Sequence, residues 1–140
     1  YDRRLGTHDR PFPHRNFRIG HAYWINGYKE EAECYFNKGL ENLNKMIELS
    51  HNYVQDFHLF YNLAAIYAFQ GDKDKAFENL RILNQRQKMP IWMVANIKDD
   101  PMFDSIRYEP EFQQIVQDIE AKYQAEHERV MRWLEENGML

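Results

Sequence analysis

Residues 63–80, LAAIYAFQGDKDKAFENL, repeat the pattern of residues 19–36, IGHAYWINGYKEEAECYF. In both stretches a small residue stands three positions before a tyrosine, a glycine follows that tyrosine by four positions, and an alanine follows the glycine by five. The two copies lie 44 residues apart, and every shared spacing is equal. This agreement indicates an internal repeat.

The residue types of the repeat suit two antiparallel helices joined by a short turn. A close crossing needs small residues where the helices touch and large residues beside that point. Gly27 and Gly71 give the turn its backbone freedom. The small crossing residues are Gly20, Ala32, Ala64 and Ala76, and the large flanking residues are Tyr23, Phe36, Tyr67 and Leu80.

Helical spacing of apolar residues continues along the chain and predicts an all-α fold. The predicted helices cover 14–26, 29–50, 56–70, about 73–88, 91–97 and 110–138, and no useful alternating strand pattern occurs. We expect a single domain over residues 1–140. Its parts are an irregular lead-in at 1–13, repeat 1 at 14–50, repeat 2 at 56–88 and a C-terminal capping segment at 90–138.

The repeated pattern resembles the tetratricopeptide repeat (TPR) signature, in which a large residue, Leu-Gly, Tyr, Ala and Phe recur. Asn16 stands where that family often has Trp, Gly39 replaces a usual Ala, and the period is 44 rather than 34 residues. The resemblance implies an α-α superhelix of antiparallel helix pairs, closed by a long C-terminal capping helix.

Residues 97–112 depart from the repeat and resemble the end of many bacterial TPR arrays. The matching positions are Asp100, Pro101, Phe103, Asp104, Ile106, Arg107, Pro110 and Phe112. The resemblance implies a capping element at the C-terminal end of a bacterial array. It also suggests a larger parent protein, such as a transcription regulator or a nucleotide cyclase, in which this chain is a regulatory region.

The family resemblance further implies a protein or peptide partner bound in a concave groove, lined mainly by the first helix of each pair. The candidate lining is aromatic and rich in histidine, which favours a hydrophobic or aromatic segment of the partner. The alternative is that several of these rings pack internally or against residues 1–13. The candidate groove residues are His14, Phe17, His21, Trp24, His58, Tyr61 and Asn62.

The last predicted helix carries an apolar stripe that offers a second function. Its first half is expected to cap the repeats, and its second half, from about Ala125, extends past them. The apolar stripe of this half then needs another partner, which is the N-terminal segment, a second copy of the chain or a different protein. A second copy makes Val130, Trp133 and Leu134 the candidate surface of a homodimer.

Composition and motifs argue against other functions. A net charge of −4 without a basic block does not suit nucleic-acid binding, and no apolar run is long enough for a membrane span. The lone Cys34 fits a reducing, cytoplasmic compartment. Because the histidines are badly spaced for a shared ion and phosphate loops are absent, we expect no metal, no cofactor and no catalytic residue.

Overall fold

The computed structural model describes residues 16–49 and 57–140. These residues form two compact units, one on each side of the boundary between Gln55 and Asp56. Unit 1 contains residues 16–49 and unit 2 contains residues 57–140, and neither range contains a strand. The all-α prediction is therefore confirmed for this part of the chain. The predicted lead-in and His14 lie outside the described residues.

Unit 1 is one antiparallel helix pair, α1 (Asn16–Ile25) and α2 (Lys29–Leu49). The helices cross closely at Gly20, since a Cβ atom built there would lie 2.6 Å from Cε1 of Phe36. Phe36 and Ala32 are fully buried beside this crossing. The small residue and the large residue therefore do the packing that their spacing predicts.

Each repeat turns between its helices through the same backbone motif. Gly27 and Gly71 adopt φ of +85° and +86°, a left-handed conformation that glycine enters without steric cost. The N–H of Tyr28 donates to the carbonyl of Tyr23 at 3.0 Å, and that of Gly27 donates to Trp24 at 3.0 Å. Repeat 2 has the same two hydrogen bonds 44 residues later. Both turns are Schellman motifs, which satisfy the last carbonyls of the first helix.

Unit 2 begins with the second helix pair, α3 (Phe57–Gln70) and α4 (Lys73–Asn84). A short helix α5 (Ile91–Asn96), a 3₁₀ helix (Pro101–Phe103) and the long α6 (Pro110–Glu136) follow. Residues 59–66 of α3 are all buried, because α4 packs on one side of the helix and the 3₁₀ helix packs on another.

Helix α4 ends at Asn84, four residues before the predicted end at Lys88. The chain must leave the helix before Pro90, whose backbone is extended at φ −69° and ψ 141°. Asn84 is fixed by α6, because its carbonyl accepts a hydrogen bond from Lys122 and its Nδ2 donates to Asp118 at 2.8 Å. These contacts with α6 end helix α4 at Asn84, whereas the sequence pattern alone predicts that the helix continues to Lys88.

The proximal part of α6 packs on α4 and α5. Its buried residues are Phe112, Ile115, Val116 and Ile119. At the surface of this interface, Arg81 donates two hydrogen bonds to the Glu111 carboxylate, at 2.6 and 2.9 Å. Hydrogen bonds from Asn84 and then Gln114 hold the pKa of Asp118 below its usual value. The first half of α6 thus covers the surface of α4 in repeat 2.

Candidate functional site

Three of the predicted groove residues lie on α1 at positions 17, 21 and 24. Their spacing of four and three residues places them on one face of the helix. Phe17 is buried at 4% exposure, and the guanidinium of Arg18 lies 4.5 Å from its ring centroid. His21 and Trp24 are half-buried, and the Lys29 ammonium lies 5.0 Å from the ring of Trp24. The accessible part of this face is therefore His21 and Trp24.

On α3, the exposed His58 stacks on Trp92 of α5. The two ring centroids are 4.6 Å apart and the planes differ by 6°. Stacking on a half-buried indole restricts the orientation of the imidazole, and His58 as a whole remains exposed.

Tyr61 and Asn62 are not accessible in the structure, which corrects their predicted place in an open lining. Tyr61 is 1% exposed and Asn62 is 3% exposed. The Tyr61 hydroxyl donates to the buried Asp100 carboxylate at 2.7 Å. Its ring meets Trp92 and Phe103 edge to face, with centroids 5.2 and 5.4 Å apart.

The burial of Tyr61 comes from the segment that follows repeat 2. Helix α5 and the 3₁₀ helix bring Trp92 and Phe103 against α3, and Ser105 Oγ donates to the carbonyl of Ala68 at 2.7 Å. Asp100 also caps the 3₁₀ helix by accepting from the Met102 N–H at 3.1 Å. The protein's own chain therefore covers the part of α3 that the repeat pattern assigns to a partner.

The candidate residues of the described helices offer aromatic rings and hydrogen-bonding groups. Among residues 16–49 and 57–140, no three His, Cys, Asp or Glu side chains are grouped to hold a metal ion. Within the same ranges, no helix is both long and apolar enough to cross a bilayer. Asn62 Nδ2 is buried and has no hydrogen-bond partner among the described residues.

Comparison with known proteins agrees with this architecture. The family described as "Tetratricopeptide repeat" matches residues 13–42 and 57–81, which contain the crossing and the turn of each helix pair. The chain carries two tetratricopeptide repeats. The prediction of tetratricopeptide repeats is thereby confirmed. The two matched segments are separated by residues 43–56, and this separation lengthens the period to 44 residues.

One curated relative of these repeats is photosystem I assembly protein Ycf3 of Cyanophora paradoxa. It is 33% identical over 70 residues, which cover 49% of this chain and 40% of the relative. The chain therefore spans about two fifths of the length of that protein. No solved structure matches the chain.

Beyond the repeats, the distal half of α6 carries the predicted dimer surface. Val130 is 39% exposed, Trp133 is 51% exposed and Leu134 is half-buried. We call these three residues the distal stripe. All the buried residues of α6 precede them, ending at Ile119. The stripe is thus apolar surface that unit 2 does not use for its own core.

The sequence did not predict that three residues, Trp92, Asp100 and Phe103, would contact Tyr61 on α3. The Asp100-Pro101-x-Phe103 stretch was assigned to a cap, and it does begin a 3₁₀ helix with Asp100 as N-cap. In its second role Asp100 accepts the hydrogen bond of the Tyr61 hydroxyl, and nothing in the sequence indicated this pairing, because Tyr61 was predicted to line an open groove. No local spacing connects residues 39 positions apart.

Proposed function

We propose that this chain is a protein-interaction scaffold that binds a hydrophobic or aromatic segment of a partner against the first helices of its repeats. Tetratricopeptide repeats serve as protein-interaction scaffolds, and this general role is common to both helix pairs. The finer proposal rests on one observation, which is the accessible face of α1 formed by His21 and Trp24. In repeat 2, the exposed His58 is a separate candidate contact.

The physical reason is that an indole at a partly open surface gains most from being covered. Trp24 is half-buried before any partner arrives, so little conformational freedom is lost on binding. The Lys29 ammonium over its ring fixes the indole further. Burial of Tyr61 and Asn62 restricts the proposed surface on α3 to His58.

The relative in Cyanophora paradoxa is a photosystem I assembly protein, and assembly of a complex requires contact with other proteins. We extend to this chain only that general mode of action. The proposed bacterial origin and the place in a larger regulatory protein rest on the resemblance of residues 97–112 to the ends of bacterial arrays. The proposed cytoplasmic site of action is supported by the exposed, free thiol of Cys34.

A displayed random-peptide library, selected on the 140-residue chain, tests the groove. Selected peptides should be apolar or aromatic and should bind Trp24→Ala at least about thirtyfold more weakly, because a central Trp contributes about 2 kcal/mol or more. The matched control is Leu49→Ala, which removes an apolar side chain that is 76% exposed at the end of α2. Equal binding to wild type and Trp24→Ala contradicts the proposal.

A second candidate function is homo-oligomerisation through the distal stripe. The observation in its favour is that Trp133 and Val130 are exposed on a helix whose proximal half is packed. Light scattering across concentration should show a dimer at high concentration, and Leu134→Glu should be monomeric. Leu140→Glu adds the same charge beyond the helix and should still dimerise. A wild-type monomer at every concentration rules this candidate out.

A further inference from the structure

The turn of repeat 1 brings three tyrosine rings together. Gly27 reverses the chain so that Tyr28, at the start of α2, meets Tyr23 near the end of α1. The rings of Tyr23 and Tyr28 are perpendicular, with centroids 6.1 Å apart and planes at 82°. Tyr35 stacks behind Tyr23 at 5.3 Å. We call Tyr23 and Tyr28 the tyrosine corner.

The tyrosine corner forms two walls of an open depression of about 210 Å³, which Ala22 and Asn26 complete. Tyr28 is 56% exposed, so one wall is accessible. Asn26 uses its Nδ2 to donate to the Ala22 carbonyl at 2.7 Å. Asn26 therefore brings to the depression a side-chain amide whose orientation is fixed by this hydrogen bond.

The electrostatics of the depression favour a cation. The face of an aromatic ring attracts positive charge. The first turn of α2 adds the exposed carboxylates Glu30 and Glu31, two and three residues after Tyr28. Burial, and after it the neighbouring Tyr23, raise the pKa of Tyr35 above its ordinary value.

Repeat 2 shows what occupies the equivalent place there. Tyr67 corresponds to Tyr23, and the ammonium of Lys75 lies 5.2 Å from its ring centroid. Lys75 also pairs with Asp72 at 3.5 Å. At the position of Lys75, repeat 1 has Glu31. One repeat thus supplies its own cation to the tyrosine, and the other replaces that cation with a carboxylate.

We propose that the tyrosine corner binds an arginine side chain of a partner polypeptide. A guanidinium is planar, so it can stack on one ring while its N–H groups remain available to the carboxylates of the first turn of α2. Lysine, as Lys75 shows in repeat 2, can also approach such a ring, but its ammonium is compact, strongly hydrated and not planar, so a lysine side chain should bind more weakly. The surface is distinct from the face of α1 proposed to hold an apolar segment.

The probe is the peptide acetyl-Gly-Arg-Gly-Arg-Gly-amide, titrated into the 140-residue chain and followed by amide NMR shifts. Shifts should concentrate at the amides of Gly27 and Tyr28. The citrulline peptide, which keeps the shape and removes the charge, should bind much more weakly. Equal binding of citrulline, a lysine peptide as tight as the arginine peptide, or shifts confined to other residues overturns the proposal.

Variants of exposed residues test the corner without threatening the fold. Tyr28→Phe should retain binding, and Tyr28→Leu should lose about two- to thirtyfold in affinity, because it removes the ring. Glu31→Lys copies the arrangement of repeat 2 and should abolish binding by placing an internal ammonium at the corner. Undiminished binding to Tyr28→Leu or Glu31→Lys refutes the assignment. Trp24→Ala should leave arginine binding intact, which separates this site from the groove.

Discussion

The substitution Gly20→Ala tests the close helix crossing of repeat 1 most directly. The added Cβ would lie 2.6 Å from Cε1 and 2.8 Å from Cδ1 of Phe36, well inside van der Waals contact. Phe36 is fully buried, so its ring has no open space into which it can move. The methyl group therefore forces either the ring or the helices to shift.

Two opposing free energies decide the net effect. Overpacking a buried site costs about 1–3 kcal/mol, whereas replacing glycine by alanine within a helix gains about 1 kcal/mol. Because the 2.6 Å contact lies far inside van der Waals distance, the cost should fall at the upper end of that range, about 2–3 kcal/mol. Subtracting the gain, we expect Gly20→Ala to lower the free energy of unfolding of unit 1 by about 1–2 kcal/mol. At a denaturant slope of about 2 kcal/mol/M, the urea midpoint falls by about 0.5–1 M.

Urea titration followed by amide NMR reads each unit separately. The amides of Tyr28 and Ala32 are bonded within unit 1, and that of Ala76 is bonded within unit 2. The double variant Gly20→Ala/Phe36→Leu provides the rescue, because repeat 2 has Ala64 and Leu80 at these positions. An unchanged or raised midpoint for the unit 1 amides in Gly20→Ala refutes the reasoning.

Three further predictions concern unit 2. Tyr61→Phe leaves the buried Asp100 carboxylate without its hydroxyl donor and should cost about 1–3 kcal/mol in urea unfolding, so a smaller loss contradicts the role of this bond. Because Asn84 lowers the pKa of folded Asp118, that carboxylate stabilises the fold above its unfolded pKa of about 4, and the contribution is lost as pH falls through the lower folded pKa. The difference in unfolding free energy between wild type and Asp118→Asn should therefore shrink on acidification, and a constant difference contradicts the linkage. In Gly71→Ala the added Cβ meets no atom within 4 Å, so only the φ of +86° opposes the change. Calorimetry should show that the free energy of unfolding falls by about 1–2 kcal/mol. An unchanged free energy of unfolding would mean that the turn relaxes freely.

The sequence predicted the helices well where local spacing controls them. Helix α2 starts at Lys29 and α3 ends at Gln70, both as predicted. The end of α4 was predicted too late because its cap comes from Asp118 and Lys122, more than thirty residues further along the chain. A periodic pattern near Lys88 carries no information about such a distant partner.

For the candidate site, too, the sequence predicted what depends on local spacing and not the contacts between distant segments. The sequence placed Phe17, His21 and Trp24 on one helical face, since a spacing of four and three residues is a local property. It also placed His58 on α3, where the structure leaves its ring exposed. It did not predict that Trp92 would stack on that ring, because no pattern connects the two residues.

The sequence by itself determined the two helix pairs, their turns and their tight crossings. Gly27 and Gly71 permit a left-handed backbone that other residues avoid, and Gly20 leaves room for Phe36, so each effect follows from one residue and its near neighbours. Only the tertiary structure decided that Tyr61 and Asn62 are covered, while His21, Trp24 and Tyr28 keep accessible surface. The physical reason is that burial depends on which distant segment packs on a helix, and α5 with the 3₁₀ helix happens to satisfy the Tyr61 hydroxyl through Asp100.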